Sequence, residues 1–379
     1  MRIACVICEF NPFHNGHKYL IDRIKSEYAD CVIAIMSGNF VQRGDVAIVD
    51  KYQRAETALK NGCDLVVELP TVFALSSAEH FAKGGVAIAD ALNSDILCFG
   101  AEYDNIETLK AIAEATETDD FKAKLKEHLA NGEYYPKAVY NSVANLLGNK
   151  TAEILNGANN TLAIEYIKAL NKTSISPIAI KRKGASHDGN VTFENIASAT
   201  HIRNLIRENK NFNSYTESII EYFTHINKLE TAILYKLKTM SKNEIENLPD
   251  VSEGLHNRIF ECARNSNSLE ELFDSLKTKR YTLARLRRIV IYALLGITKD
   301  DMNNDSLYIR VLGMNDKGSK LLKNSKLPLV CKFPQDYNAL NKRAKRMLDI
   351  DLKSGEVFSL SVSDPSLYTS ELKRKIIKT

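Results

Sequence analysis

The residues best suited to chemistry crowd into one stretch near the N-terminus, Asn11-Pro12-Phe13-His14-Asn15-Gly16-His17. Two imidazoles three positions apart, on either side of a glycine, can address one anionic site. Gly16 lets the backbone come close to a bound group. If the stretch opens a helix, its unpaired amides attract phosphate as well. These groups suit nucleotidyl transfer, in which an oxygen nucleophile attacks the α-phosphate of a nucleotide and pyrophosphate leaves. The transition state spreads charge over oxygens, so positioning and hydrogen-bond donors supply most of the catalysis. His14 and His17 are therefore expected to be catalytic. A zinc site is the competing arrangement, because Cys5 and Cys8 precede the two histidines closely. Both cysteines fall on an expected strand, where residues three apart point to opposite faces, so no metal site is expected.

The stretch resembles the HxGH signature of the nucleotidyltransferase superfamily, the adenylyl- and cytidylyltransferases related to class I aminoacyl-tRNA synthetases. A second segment, Ile196-Ala197-Ser198-Ala199-Thr200-His201-Ile202-Arg203, resembles that superfamily's later phosphate-binding segment. Ser198 and Thr200 would offer hydroxyls and helix-start amides to the β- and γ-phosphates. Arg203 would offer a planar cation to the same oxygens and is the third expected catalytic residue.

These segments need a scaffold, and the first hundred residues provide one by alternating strand and helix. Ile3 to Cys8, Cys31 to Met36, Leu65 to Leu69 and Asp95 to Phe99 read as strands. Helices are expected at about His17 to Tyr28, Asp50 to Asn61 and Ser76 to Ala91. Continuous apolar strands separated by helices predict a Rossmann-like α/β fold, a parallel sheet with helices on both faces. Ligands of such sheets bind at the carboxyl ends of the strands. Leu109 to Leu147 reads as helical, Asn156 to Asn160 as a turn-rich loop, and Thr161 to Leu170 as a helix. Ile178 to Ile180 reads as a strand, and residues 197 to 209 open a helix. Three units are expected: a catalytic domain over 1–210, a mainly helical domain over 211–300, and a small α/β C-terminal region over 301–379. In the last, Leu307 to Leu312, Leu327 to Phe333 and Val357 to Val362 look like strands.

The chain has 379 residues, 44% hydrophobic and 26% charged, an ordinary globular composition. Its apolar runs are short and broken by charge, so no membrane span is expected. Met1-Arg2 leads directly into a strand rather than a signal peptide, which predicts a cytoplasmic protein. Seven scattered cysteines fit buried free thiols in a reducing compartment. The net charge is +4, with basic clusters at Lys181-Arg182-Lys183, Arg285 to Arg288, Lys342 to Arg346 and Lys373 to Lys375. A basic later half could meet a polyanion such as a tRNA.

Further segments narrow the resemblance: Met36-Ser37-Gly38-Asn39-Phe40-Val41-Gln42-Arg43-Gly44-Asp45, Val67-Glu68-Leu69-Pro70, Ser76-Ser77-Ala78-Glu79-His80-Phe81-Ala82 and Phe99-Gly100-Ala101-Glu102. Asn159-Asn160-Thr161-Leu162-Ala163-Ile164-Glu165-Tyr166, Ile180-Lys181-Arg182-Lys183 and Ser186-His187-Asp188 follow. The ordered set is similar to the bacterial tRNA(Met) cytidine acetate ligase family. That resemblance implies ATP-dependent activation of acetate to acetyl-adenylate. The acetyl group then passes to the exocyclic amine of the wobble cytidine of elongator tRNA(Met). It implies Mg2+ with the triphosphate and no acetyl-CoA. It carries ATP contacts to Ile7-Cys8-Glu9-Phe10-Asn11-Pro12-Phe13-His14-Asn15-Gly16-His17-Lys18-Tyr19-Leu20, and to Gly100, Asn159 and Arg182. Two positions depart from the family pattern: Phe10, where tyrosine is common, and Ala158, where proline often precedes the paired asparagines. The second leaves the choice between Asn159 and Asn160 open. The alternative activity is a metabolic adenylyl- or cytidylyltransferase, which shares both motifs but usually needs only one α/β domain.

Overall fold

The computed structural model describes residues 1–183, 194–303, 305 and 307–379, so Ser186-His187-Asp188 lies outside the described residues. The strands are β1 (Ile3–Cys8), β2 (Cys31–Ser37), β3 (Phe40–Val41), β4 (Asp45–Val46), β5 (Leu65–Leu69), β6 (Ile96–Ala101), β7 (Ser176–Lys181), β8 (Ile309–Met314), β9 (Leu329–Val330) and β10 (Ile377–Lys378). Seven of them line up as β10-β8-β5-β2-β1-β6-β7, with β9 beside β8, while β3 and β4 form a separate hairpin. The five strands from β5 to β7 are parallel, in register Ala4↔Val32, Ala34↔Val66, Ala4↔Ile96 and Ile96↔Ser176. The chain begins mid-sheet at β1, moves outward to β2 and β5, then returns to β6 and β7 on the other side. This reversal opens a crevice at the carboxyl ends of β1 and β6, where sheets of this type take their ligands.

Strand periodicity divides the core into two layers. Ala4, Val6, Val32 and Ala34 pack under α1 (Asn15–Glu27) and α2 (Lys51–Lys60), which contribute Ile21, Ile24, Ala55 and Leu59. Cys5, Ile33, Ile35 and Leu97 face the other way, toward α3 (Ala78–Ala91) and α4 (Ala158–Leu170), which contribute Phe81, Val86, Ala163 and Ile167. Cys8 packs in the first layer and Cys5 in the second, as expected of residues three apart on a strand. All seven cysteines are free thiols.

Three further helices matter for the site: α5 (Ala199–Arg207), α6 (Leu283–Leu295) and α7 (Lys342–Ser359). The first turns of α2 and α5 start where a capping residue allows. Asp50 accepts from the amides of Tyr52 and Gln53, and Ser198 accepts from that of His201. The helical stretch between residues 230 and 297 shares one hydrophobic cluster with the sheet. The C-terminal strands build no sheet of their own. β8 pairs antiparallel with β5, and β9 and β10 flank β8. Val357 to Val362 does not form the expected strand, because α7 continues to Ser359. Its buried Ala344, Met347, Leu348, Asp351, Ser354 and Phe358 follow helical spacing, and that longer period outweighs a short apolar run. Likewise the expected loop at Asn156 to Asn160 ends early, since α4 starts at Ala158. Among the described residues, no helix is long and apolar enough to cross a membrane.

Candidate active site

A cavity of about 490 Å³ opens between the ends of β1 and β6. Both sequence motifs border it, as do Gly100, Asn159 and Arg182. Within the Ile7 to Leu20 stretch, ten residues face the cavity, including Glu9, Phe10, His14, Gly16, His17 and Tyr19. Pro12, Phe13, Asn15 and Lys18 do not line it. They serve the turn instead. Phe13 is buried against Phe10, its carbonyl accepting from Ser218 Oγ at 3.3 Å. Asn15 Nδ2 donates to the carbonyls of Asn195 and Ser214, and Lys18 pairs with Asp22 on the surface.

The two histidines cap α1 reciprocally. His14 Nδ1 accepts from the Gly16 amide at 3.1 Å, and His17 Nδ1 accepts from the His14 amide at 3.2 Å. Their rings stack with centroids 3.6 Å apart. A Cβ at Gly16 would stand 2.9 Å from the His14 ring, so the glycine makes room for that ring. Burial, with Arg182 and Arg203 nearby, lowers the His14 pKa to about 3. Burial, His14 and Arg182 hold His17 well below its ordinary value too. Both rings are therefore neutral. A neutral imidazole that accepts at Nδ1 carries its proton on Nε2, so each ring keeps one N–H donor for a ligand.

The second motif closes the other side. Arg203 Nη1 donates to the Asn11 carbonyl at 2.7 Å, and Nη2 donates to Thr200 Oγ1 at 3.0 Å. This guanidinium bridges the two motifs directly. Burial depresses the pKa of both Arg203 and Arg182. Desolvated guanidinium groups gain when an anion enters beside them. Lys181, Lys183, Arg207, Arg287 and Arg43 add positive charge around the cavity, against Glu9 and Asp45. The two asparagines are placed differently. Asn160 is buried, its Oδ1 accepting from the Tyr103 amide and its Nδ2 donating to the Ile154 carbonyl. Asn159 is the one that lines the cavity.

One contributor, Arg54, was not singled out from sequence. Arg54 is buried and donates to four carbonyls: Glu9, Ser37, Gly38 and Val49. Burial lowers its pKa to about 10. It ties the ends of β1 and β2 to α2. Its partners are backbone atoms, so no residue pattern marks it. The β3–β4 hairpin brings Gln42 and Arg43 to the cavity, and its turn rests on Arg287 and Arg288 of α6. Position after a strand end, within the unusual string from Met36 to Asp45, points to Gln42 and Arg43 as a loop able to approach acetate or the anticodon.

The family model described as HIGH Nucleotidyl Transferase matches residues 1–373. A tRNA(Met) cytidine acetate ligase of Clostridium novyi is 38% identical over 403 residues, covering 98% of each chain. One from Caldanaerobacter subterraneus is 39% identical over 404 residues, covering 100% of both. The crystal structure of Thermotoga maritima TmcAL bound with alpha-thio ATP superposes with a TM-score of 0.91 at 29% identity, covering 100% of both chains. Its apo form gives a TM-score of 0.92. The chain belongs to the HIGH nucleotidyl transferases and, within them, to the tRNA(Met) cytidine acetate ligase family.

Proposed function

We propose that this protein joins acetate to a tRNA(Met) cytidine at the expense of ATP. One observation carries the reading: two neutral imidazoles, two half-buried guanidiniums and two helix starts converge on one cavity. That combination suits a triphosphate in which negative charge builds up on transferring oxygens. Relatives matched over nearly their whole length are tRNA(Met) cytidine acetate ligases, which supplies acetate and the tRNA. In the first step an acetate oxygen attacks the α-phosphorus, the bond to the bridging oxygen breaks, and pyrophosphate leaves. In the second, the cytidine N4 attacks the acetyl carbonyl carbon. AMP departs with the mixed-anhydride oxygen, and the amine loses a proton.

His14 and His17 would donate through Nε2 to the phosphate oxygens, with Arg203 and Arg182 compensating their charge. Ser198 Oγ accepts from the His201 amide, which fixes the α5 amides, and its O–H stays a donor for phosphate. Thr200 orients Arg203. Magnesium accompanying the triphosphate would be held by phosphate oxygens and water, with Glu9 and Asp45 the carboxylates at hand. Activation by ATP makes a thioester donor such as acetyl-CoA unnecessary. Such a reaction belongs in the cytoplasm, where ATP and tRNA meet.

The test is incubation with ATP, labelled acetate and purified tRNA. Label in elongator tRNA(Met), lost without ATP, is expected. ATP turnover that depends on a mononucleotide and not on acetate would assign the site to a metabolic nucleotidyltransferase.

A further inference from the structure

Glu102 follows β6 immediately and does not line the cavity. Its two carboxylate oxygens turn toward the start of α4. Oε1 accepts from Asn159 Nδ2 at 2.5 Å, and Oε2 accepts from the Asn160 amide at 3.0 Å. The helix has no cap of its own, because its N-cap residue is Gly157. A Cβ at Gly157 would stand 2.7 Å from Glu102 Oε2 and 2.5 Å from Asn160 Nδ2, so this approach requires the glycine. Asn160 completes the joint through Tyr103 and Ile154. A carboxylate one strand away thus caps a helix that cannot cap itself.

The joint also decides which way the Asn159 amide faces. A carboxylate only accepts hydrogen bonds, whereas an amide has a donor end and an acceptor end. Glu102 must therefore take one N–H at the Nδ2 end, which leaves Asn159 Oδ1, beside the second N–H, for a ligand. The phosphates of ATP offer acceptors only, so an acceptor cannot serve them. Donors sit on the nucleoside half: the ribose hydroxyls and the adenine amine. We propose that Glu102 is a positioning residue, which sets Asn159 as the acceptor for a nucleoside donor of ATP. The nucleoside then lies on the β6–α4 side, and the phosphates lie on the His14, His17 and Arg203 side. This rests on the ATP reading above.

The experiment measures equilibrium binding of ATP, 2′-deoxy-ATP, 3′-deoxy-ATP and purine riboside triphosphate to the full chain. In the wild type, the analogue lacking the relevant donor should bind about tenfold more weakly than ATP. It identifies a ribose hydroxyl or the amine as the donor. Asn159→Ala and Glu102→Gln should each weaken ATP by about that factor and abolish the preference for ATP over that analogue. The double variant should be no worse than either single one. A helix cap without a positioning role would lower the melting temperature and leave the analogue preference intact. Glu102→Gln with an undiminished preference, or effects that multiply, would overturn the proposal. If Glu102→Gln does not fold, Glu102→Asp keeps the charge at the helix start and withdraws it from Asn159. The same loss is expected there, and an unchanged preference overturns the proposal equally. A wild type that does not bind ATP would instead sink the underlying reading.

Discussion

At the residue scale, His14 is asked to do two things with its two ring nitrogens. Nδ1 caps the helix, and Nε2 remains for the ligand. Asparagine can imitate the first with its Oδ1 but has no atom where Nε2–H stands. His14→Asn should therefore fold like the wild type and lose about 10²-fold or more in adenylate formation, the usual loss for one transition-state donor. Acetate-dependent exchange of labelled pyrophosphate into ATP measures this, and a near-normal rate would remove Nε2 from the mechanism. The same variant carries a pH signature. The folded pKa of His14, about 3, lies below its ordinary value of 6.5. As pH falls through 6.5 the unfolded chain takes up a proton that the folded chain refuses. Stability from this group is thus full above pH 6.5 and drains away as pH falls toward 3. Between pH 7 and pH 5 the wild type should lose about 2 kcal/mol more than His14→Asn, read from urea midpoints. The sequence made these histidines legible because their spacing is local and sits beside a strand end. It could not show that both are neutral, since their burial is set by the whole fold, and Arg182, beside both, and Arg203, beside His14, come from more than a hundred positions away.

At the scale of elements, the cavity stands because strand ends are held in place from behind. Arg54 does this for β1, β2 and α2 with one side chain that never meets the cavity. Replacing it by methionine keeps the apolar stem and leaves buried carbonyls without donors. Unpaired buried polar groups cost roughly 1–3 kcal/mol each. Arg54→Met should therefore lower stability by about 3 kcal/mol or more and raise the KM for ATP, as the Glu9 to His14 turn loosens. A urea midpoint and an ATP titration check both, and a variant with wild-type values for the two would show the clamp to be idle. The alternating strands and helices of the first hundred residues were readable, because parallel strands buried on both faces are apolar throughout. The start of α4 and the β3–β4 hairpin were not. Each is fixed from outside its own segment, one by Glu102 and the other by α6.

At the scale of the whole molecule, the C-terminus returns to the catalytic half. Glu371 is buried and pairs with Lys51 at 2.9 Å and with Arg310 at 2.5 Å. Lys51 and Arg310 also hold Glu68 of β5, at 2.8 and 3.4 Å. Burial alone would push the Glu371 carboxyl up, but the two cations outweigh it and hold it below its ordinary value. Two cations thus face two carboxylates inside the protein, and Lys51 opens the helix that carries Arg54. Little in the sequence near residue 371 announces this, because both charged partners lie at least sixty positions away and the near one is only the Tyr368 hydroxyl. Removing one member of a buried pair costs roughly 3–5 kcal/mol, since the partner charge is left uncompensated. Glu371→Gln keeps the shape and removes the charge, so a loss of that size is expected. Because β8 lies in the main sheet and the helical stretch shares its core, the loss should be felt by the entire chain at once. Urea unfolding followed by far-ultraviolet circular dichroism and by tyrosine fluorescence should give one coincident transition in the wild type. In Glu371→Gln both signals should move together to lower urea, and ATP should bind less tightly. Two separate transitions, or a shift confined to one signal, would mean that the C-terminal segment folds as a unit apart from the catalytic sheet. A shift below about 1 kcal/mol would mean the buried pairs hold nothing together.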